Sequence, residues 1–249
     1  MKICRFEYRE EIYKGILEEE KVYLFENDQK SLESIDISEI KLLPPVVPSK
    51  IVCVGRNYAA HAAELGNEVP KEPLLFLKAP SAVITDGYAI EIPSQTNQVE
   101  HEGELAAVIG RICKNLSDTE NVSEYIAGYT ILNDVTARDV QRRDVQFTRG
   151  KSFDTFCPIA NFIGTELDVS DIRVTTSVNG IIKQDGRTSQ MVFSVDFLVK
   201  YISRQMTLIP GDVIATGTPS GVSRLEAGDI CEVEIEGIGK LTNPVRKAF

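Results

Sequence analysis

Residues 102–110 read Glu-Gly-Glu-Leu-Ala-Ala-Val-Ile-Gly. From Glu104 to Gly110 the run is apolar and short, which suits a strand buried on both faces of a layered fold. Two acids lead into it. On an extended strand Glu102 and Glu104 stand at i and i+2 and share a face. Burying two such carboxylates is costly unless a cation or protons neutralise them. Gly103 between them leaves room for close backbone approach. A second apolar run, Gly128–Leu132, ends in Asn133-Asp134. Three acids with no cysteine beside them point to a hard, oxygen-preferring cation, Mg²⁺ or Mn²⁺ rather than Zn²⁺.

A histidine supplies a second element. In Ala59–Leu65, read as a short helix ended by Gly66, His61 and Glu64 lie at i and i+3 on one face. A carboxylate beside an imidazole orients it and raises its basicity, as a water-activating base requires. His101 precedes Glu102, so on a strand it points away from the glutamates and reads as structural.

The rest of the chain reads as strand-rich. Lys2–Tyr8, Glu11–Leu17 and Lys21–Phe25 carry strand-forming residues. Glu26–Ile40 is mostly polar. Leu42–Pro48 holds three prolines and is a stiff arm, placing a boundary near residue 46. A segment of that size has little core of its own and is expected to dock on the remainder. Beyond it, strands are predicted at Lys50–Gly55, Leu74–Leu77, Tyr129–Leu132, Asp212–Ala215 and Cys231–Glu236. Thr136–Val145 looks helical. Asn179-Gly180 marks a hairpin turn, and Ser194 caps a helix with Val195, Leu198, Val199 and Ile202 on one face.

Composition excludes several classes. The 249 residues carry a net charge of −10, against the basic face that nucleic-acid binding needs. No stretch approaches a membrane span, and the N-terminus lacks the apolar core of a signal peptide, so a cytoplasmic location is expected. The 5 cysteines are odd in number and far apart, fitting neither a disulfide framework nor a zinc site.

Five segments in order carry a resemblance: Gly55-Arg56-Asn57-Tyr58 with His61 and Glu64; Phe76-Leu77-Lys78; Glu102-Gly103-Glu104-Leu105; Asn133–Gln141 followed by Lys151-Ser152-Phe153; and Thr216-Gly217-Thr218-Pro219-Ser220-Gly221. Over roughly residues 50–245 the sequence resembles the fumarylacetoacetate hydrolase family, in its acylpyruvase-like and 2-hydroxyhepta-2,4-diene-1,7-dioate isomerase-like branches. The resemblance implies an α+β fold: a strand-rich mixed β-sheet roll with short flanking helices, here residues 47–249, preceded by a small β-rich segment, residues 1–46. It implies Glu102, Glu104 and Asp134 as ligands of Mg²⁺ or Mn²⁺. His61, Glu64 and Lys151 are then catalytic, and Arg56, Gln141 and Thr218 bind substrate. Lys78 and Arg138 sit in matching motifs without an assigned role.

The activity so implied is hydrolysis of C–C bonds in 2,4-dioxo acids of the acylpyruvate or fumarylpyruvate type, through a pyruvate enolate held on the metal. The alternatives are a 2-hydroxyhepta-2,4-diene-1,7-dioate isomerase or 5-oxopent-3-ene-1,2,5-tricarboxylate decarboxylase of aromatic catabolism, or an oxaloacetate decarboxylase. A homodimer acting on a small 2-oxo acid, with no nucleic-acid or membrane partner, is expected. Substrate choice is expected to rest on loops such as Asn67–Pro73 and Arg142–Thr148.

Overall fold

The computed structural model describes residues 1–26 and 29–248. Among them the fold is strand-rich, with four short α-helices: α1 (Ala59–Glu64), α2 (Arg138–Arg143), α3 (Thr148–Lys151) and α4 (Val195–Gln205). No helix of the described residues is long and apolar enough to cross a membrane.

The Gly103–Ile109 strand lies near the middle of the larger sheet. It pairs antiparallel with Ile126–Asn133 on one side and with Val213–Ala215 on the other. Val213–Ala215 in turn pairs parallel with Ile51–Gly55, which pairs antiparallel with Leu74–Lys78. A smaller sheet runs in the order Ile181–Arg187, Arg173–Val178, Ile230–Ile235, Gly239–Lys247 and Ile90–Ile92.

Alternation along the central strand explains its composition. Leu105, Ala107 and Ile109 face a core shared with Val174, Val233 and Leu241 of the smaller sheet and with Leu198, Val199 and Ile202 of α4. Ala106 and Val108 face a second core with Ile51, Cys53, Leu132 and Ala215. Both faces are therefore dry, and no polar alternation is tolerated until the strand's N-terminal end. By the same parity Glu102 and Glu104 turn toward the second core, away from the smaller sheet. Gly103 faces the other way. A Cβ there would run into the Thr176 hydroxyl and would meet Val233 Cγ1 at 2.9 Å, so the smaller sheet presses on the backbone that carries the acids.

The hairpin turn forms as expected, with Asn179 at φ 53° and Gly180 at φ 75° between Arg173–Val178 and Ile181–Arg187. Ser194 caps α4 by accepting from the Phe197 N–H at 3.3 Å. The five cysteines are buried and unbridged.

The structure corrects one expectation and adds detail in two other regions. The polar Glu26–Ile40 stretch contains a strand, Gln29–Asp36, which pairs with Lys21–Glu26 as an edge and so needs little apolar surface. Thr136–Val145 is helical only over Arg138–Arg143, because Thr136-Ala137 pairs with Val99-Glu100 instead. The N-terminal strands dock on the remainder as expected, and they do so by sheet pairing. Lys2–Tyr8 pairs with Phe162–Gly164, so they continue the larger sheet.

Candidate active site

Strand ends together with α1, α2 and α3 line a cavity of about 490 Å³, whose lining includes Glu102, Glu104, Asp134, Lys151, His61 and Glu64. Arg56, Gln141 and Thr218 line it too, so every residue given a metal, catalytic or substrate role from the sequence lines one cavity.

The floor is acidic. Glu102, Glu104 and Asp134 are 5%, 2% and 1% exposed. One carboxylate oxygen from each lies within 4.8 Å of the other two. Backbone bonds fix this convergence. Asp134 N–H donates to Glu102 O at 2.8 Å, and Glu102 N–H donates to Asn133 Oδ1 at 2.9 Å.

Cations are interleaved with these acids. Lys151 Nζ donates to Glu102 at 2.8 Å and to Asp134 at 2.6 Å, and Lys78 Nζ donates to Asp134 at 2.6 Å. Arg138 holds Glu100 through Nε at 2.7 Å and Glu102 through Nη2 at 2.5 Å. Burial raises the Glu102 pKa, but Lys151, Arg138 and His61 outweigh it and hold the carboxyl well below its usual range. Burial tends to discharge Lys151, and Asp134 and Glu102 reverse that, leaving its pKa above the ordinary lysine value.

Glu104 differs. Among the described residues its carboxylate accepts from the Gly217 N–H at 2.8 Å and from no cationic side chain. Burial, then Asp134 and Glu102, raise its pKa well above the ordinary value. A buried carboxylate without a cation, converging with two others in an all-oxygen set, fits a hard divalent ion. Glu102, Glu104 and Asp134 would hold it.

The roof is α1. His61 is 5% exposed, and its Nδ1 lies 3.2 Å from Glu64 Oε2. Glu64 also accepts from the Gly221 N–H at 3.0 and 3.1 Å. The Thr216–Gly221 loop thus donates to the floor at one end, through Gly217, and to the roof at the other. Asn57 ties the entry to α1 onto this loop, its Nδ2 donating to Thr216 O at 2.7 Å. Arg56 sits at φ 59°, a left-handed conformation uncommon for a non-glycine residue, at the cavity wall.

Thr218 Oγ1 donates to Gly103 O and accepts from Gln184 Nε2. Its single hydrogen is committed to the backbone between the two glutamates. His101 is fully buried and faces Gln184 and Ser223, away from the acids, as its strand position predicts. Burial lowers its pKa to about 4.

Sequence reasoning missed Gln184, which accepts from the Gly103 N–H at 3.0 Å while donating to Thr218 and Pro219. It lies on the smaller sheet with nothing chemical nearby in sequence. It also missed Glu100 and gave Lys78 no role. A lysine closing the apolar run Leu74–Leu77 was the available signal, since Lys78 is 1% exposed.

Residues 50–246 match the description of the fumarylacetoacetate hydrolase C-terminal family. The chain belongs to this family. Residues 1–45 match a second description, the Rv2993c-like N-terminal family. Among curated relatives, the mitochondrial oxaloacetate decarboxylase of Dictyostelium discoideum is 45% identical, covering 76% of this chain and 89% of that protein. The oxaloacetate tautomerase YisK of Bacillus subtilis is 41% identical, covering 88% and 77%. A crystal structure titled 5-carboxymethyl-2-hydroxymuconate delta-isomerase, from Mycobacterium smegmatis, is 43% identical with a TM-score of 0.91 over 100% of both chains. The protein is therefore an enzyme of the fumarylacetoacetate hydrolase family, with the strand-rich α+β fold of its relatives.

Proposed function

We propose that this enzyme binds Mg²⁺ or Mn²⁺ and interconverts the keto and enol forms of a 2-oxo acid of the oxaloacetate type, with decarboxylation as an outcome of the same site. The observation that carries this reading is the His61–Glu64 pair lining the same cavity as Glu104, the acid without a cation. When bound, a divalent cation supplies Lewis acidity toward the keto and carboxylate oxygens of a 2-oxo acid.

The chain's own groups account for the proton movement. With Nδ1–H donating to Glu64, the lone pair of His61 lies on Nε2, the nitrogen free to take a proton from the carbon beside the keto group. Glu64 stabilises the imidazolium that results. Lys151 keeps positive charge close to where the enolate oxygen gains negative charge. Clamping Glu64 to Gly221 keeps α1 over the cavity and limits water entry.

A second reading, hydrolysis of 2,4-dioxo acids such as acylpyruvates, is favoured by the same pair, because His61 Nε2 can equally take a proton from water. The names of the relatives favour the first. The test is a Mg²⁺ assay of the full chain on oxaloacetate and acetylpyruvate. It follows enol absorbance, pyruvate formation and diketone loss, with Glu104→Ala as the blank. Faster turnover of oxaloacetate supports the first reading. Cleavage of acetylpyruvate with oxaloacetate unaffected replaces it with the second. Assembly as a homodimer, checked by light scattering, belongs to the same proposal.

A further inference from the structure

Gln184 lies on the edge strand of the smaller sheet, Ile181–Arg187, and does not line the cavity. It is nevertheless fully buried. A bulge puts it there. Ser177 pairs with Ile182 and Thr176 with Gln184, so Lys183 is an extra residue in the hairpin. Ile181, Ile182 and Lys183 are all exposed, and beyond the bulge Gln184 turns inward, toward the larger sheet. All four hydrogen-bonding positions of its amide are filled. Oε1 accepts from the Gly103 N–H at 3.0 Å and from His101 Nδ1 at 3.1 Å. Nε2 donates to Thr218 Oγ1 and to Pro219 O, both at 2.7 Å. Turning the amide over would set its N–H groups against the Gly103 N–H and its oxygen against the Pro219 carbonyl, so only one orientation is satisfied.

These bonds close a ring around one residue of the floor. The Gly103 N–H goes to Gln184, Gln184 donates to Thr218, and Thr218 Oγ1 donates back to Gly103 O at 2.8 Å. Gly103 carries Glu102 on one side and Glu104 on the other. It has no room to move back, because the hydroxyl of Thr176, opposite Gln184 in the hairpin, lies where a Cβ would be. The Thr216–Gly221 loop is seated on the same strand. A Cβ on Gly186 would meet Pro219 Cβ at 2.5 Å, and one on Gly221 would run into Lys183 O and meet Gln184 Cα at 3.1 Å. From this seat the loop sends the Gly217 N–H to Glu104 at 2.8 Å and the Gly221 N–H to Glu64 at 3.0 Å. One amide outside the cavity therefore sets the register between the strand that bears two acids and the loop that serves both floor and roof.

We propose that Gln184 is a positioning residue for the reaction: it holds the Gly217 N–H on Glu104 and the Gly221 N–H on Glu64, and so sets both the affinity of the acids for a divalent cation and the placement of His61. This rests on the reading of Glu102, Glu104 and Asp134 as cation ligands. A group that hydrogen-bonds the supports of a metal ligand, without touching the metal, commonly changes metal affinity or activity by about 10–100-fold when it is removed. A misplacement of about 1 Å at a reacting centre costs up to about 10²-fold in rate. Gln184 stands behind both places at once, because its two ends hold the Glu102–Glu104 strand and the loop together.

The test measures Mn²⁺ binding to the full chain by electron paramagnetic resonance without substrate, and kcat and KM for oxaloacetate at saturating Mn²⁺. Gln184→Met, similar in size and unable to make these bonds, should weaken Mn²⁺ binding about tenfold or more and lower kcat by a similar factor, with KM changed less than about threefold. Gln184→Glu keeps the accepting half of the amide and should fall between wild type and Gln184→Met. Thr218→Val breaks the same ring, so adding it to Gln184→Met should weaken Mn²⁺ binding little further. A merely structural role lowers the melting temperature and leaves Mn²⁺ affinity and kcat of the folded protein unchanged. That result overturns the proposal, and so do effects of Gln184→Met and Thr218→Val that add in full. If Gln184→Met does not fold, Gln184→Glu decides: weaker Mn²⁺ binding with a cooperative melt supports positioning, and wild-type affinity overturns it. Glu104→Ala keeps the two readings apart. If it loses Mn²⁺ while Gln184→Met does not, the floor reading survives and the role of Gln184 fails. If Glu104→Ala binds Mn²⁺ as the wild type does, both fail.

Discussion

The floor and the roof of the cavity are built by opposite means. In the floor, Glu102, Asp134, Lys78, Lys151 and Arg138 are all at least nine-tenths buried and hold one another with charge-assisted bonds on strand ends in the middle of a large sheet. The roof is a six-residue helix whose N-cap, Tyr58, makes no side-chain cap bond, and which buries only His61 and Ala62. A helix this short has marginal stability of its own and depends on what it touches. The floor is thus organised before any ligand arrives, whereas the roof is held through Asn57, Glu64 and a loop. On the proposed reading, the positions that bind are fixed by the sheet, and the position that moves a proton lies on a short helix with two buried residues.

Four measurements would break or sharpen this contrast. Glu104→Ala should have the largest effect, lowering turnover by about 10³-fold, since the site loses several kcal/mol of cation binding and charge stabilisation. Excess Mg²⁺ should restore little of it. Near-normal activity at high Mg²⁺ would mean that the floor is not the anchor. In the roof, His61→Ala should lower turnover by about 10²-fold, the lower range for losing a general base. Glu64→Gln should be milder, because the imidazole remains and only its orientation and basicity suffer. If both match Glu104→Ala, roof and floor do not divide the work in this way.

Hydrogen exchange separates the two regions without chemistry. Amides of Gly103–Ile109 should be strongly protected in all states, and those of residues 58–66 should gain protection only when Mn²⁺ and oxalate are both present. Equal protection of residues 58–66 with and without oxalate would count against a conditional roof.

The smallest effect on activity is expected at Asp212, which precedes the strand beside the floor. Its carboxylate accepts from Ser49 and Lys50 and from the Ile209 N–H. Burial opposes its charge, but these donors outweigh burial and lower its pKa. Asp212→Asn should cost about 2 kcal/mol of stability at neutral pH and leave turnover nearly intact. A group with a depressed folded pKa stabilises above its unfolded value, about 3.9, and that stabilisation fades as pH falls through the folded value. The gap between wild type and Asp212→Asn in unfolding should therefore narrow in acid. A gap that widens would reverse the sign.

What the sequence showed of this site follows the same division. Glu102 and Glu104 were legible because strand parity is rigid: two residues apart means one face, whatever lies around them. His61 and Glu64 were legible because helical spacing is equally local. Lys78, Glu100 and Gln184 were not, because their partners, Asp134, Arg138 and Gly103, come from distant segments and only tertiary packing brings them together. Burial of charge was equally hidden. Nothing in the residues after Ala137 says that Arg138 is buried while Arg142, four positions on, is exposed. The edge strand Gln29–Asp36 was hidden for a different reason: its polar surface carries no alternation, and pairing alone defines it.

The parallel pairing of Val213–Ala215 with Ile51–Gly55 sets an order in time. Val213–Ala215 is also the strand that flanks Gly103–Ile109, so the chain has to be made as far as Ala215 before the sheet can close around the acids. During synthesis, two of the most apolar strands in the molecule have an unpaired edge. Contacts of such long sequence separation slow folding and prolong exposure. The placement that buries the floor makes it wait for a distant downstream strand in the nascent chain, and truncation or stalled synthesis before Ala215 would leave those strands open to aggregation.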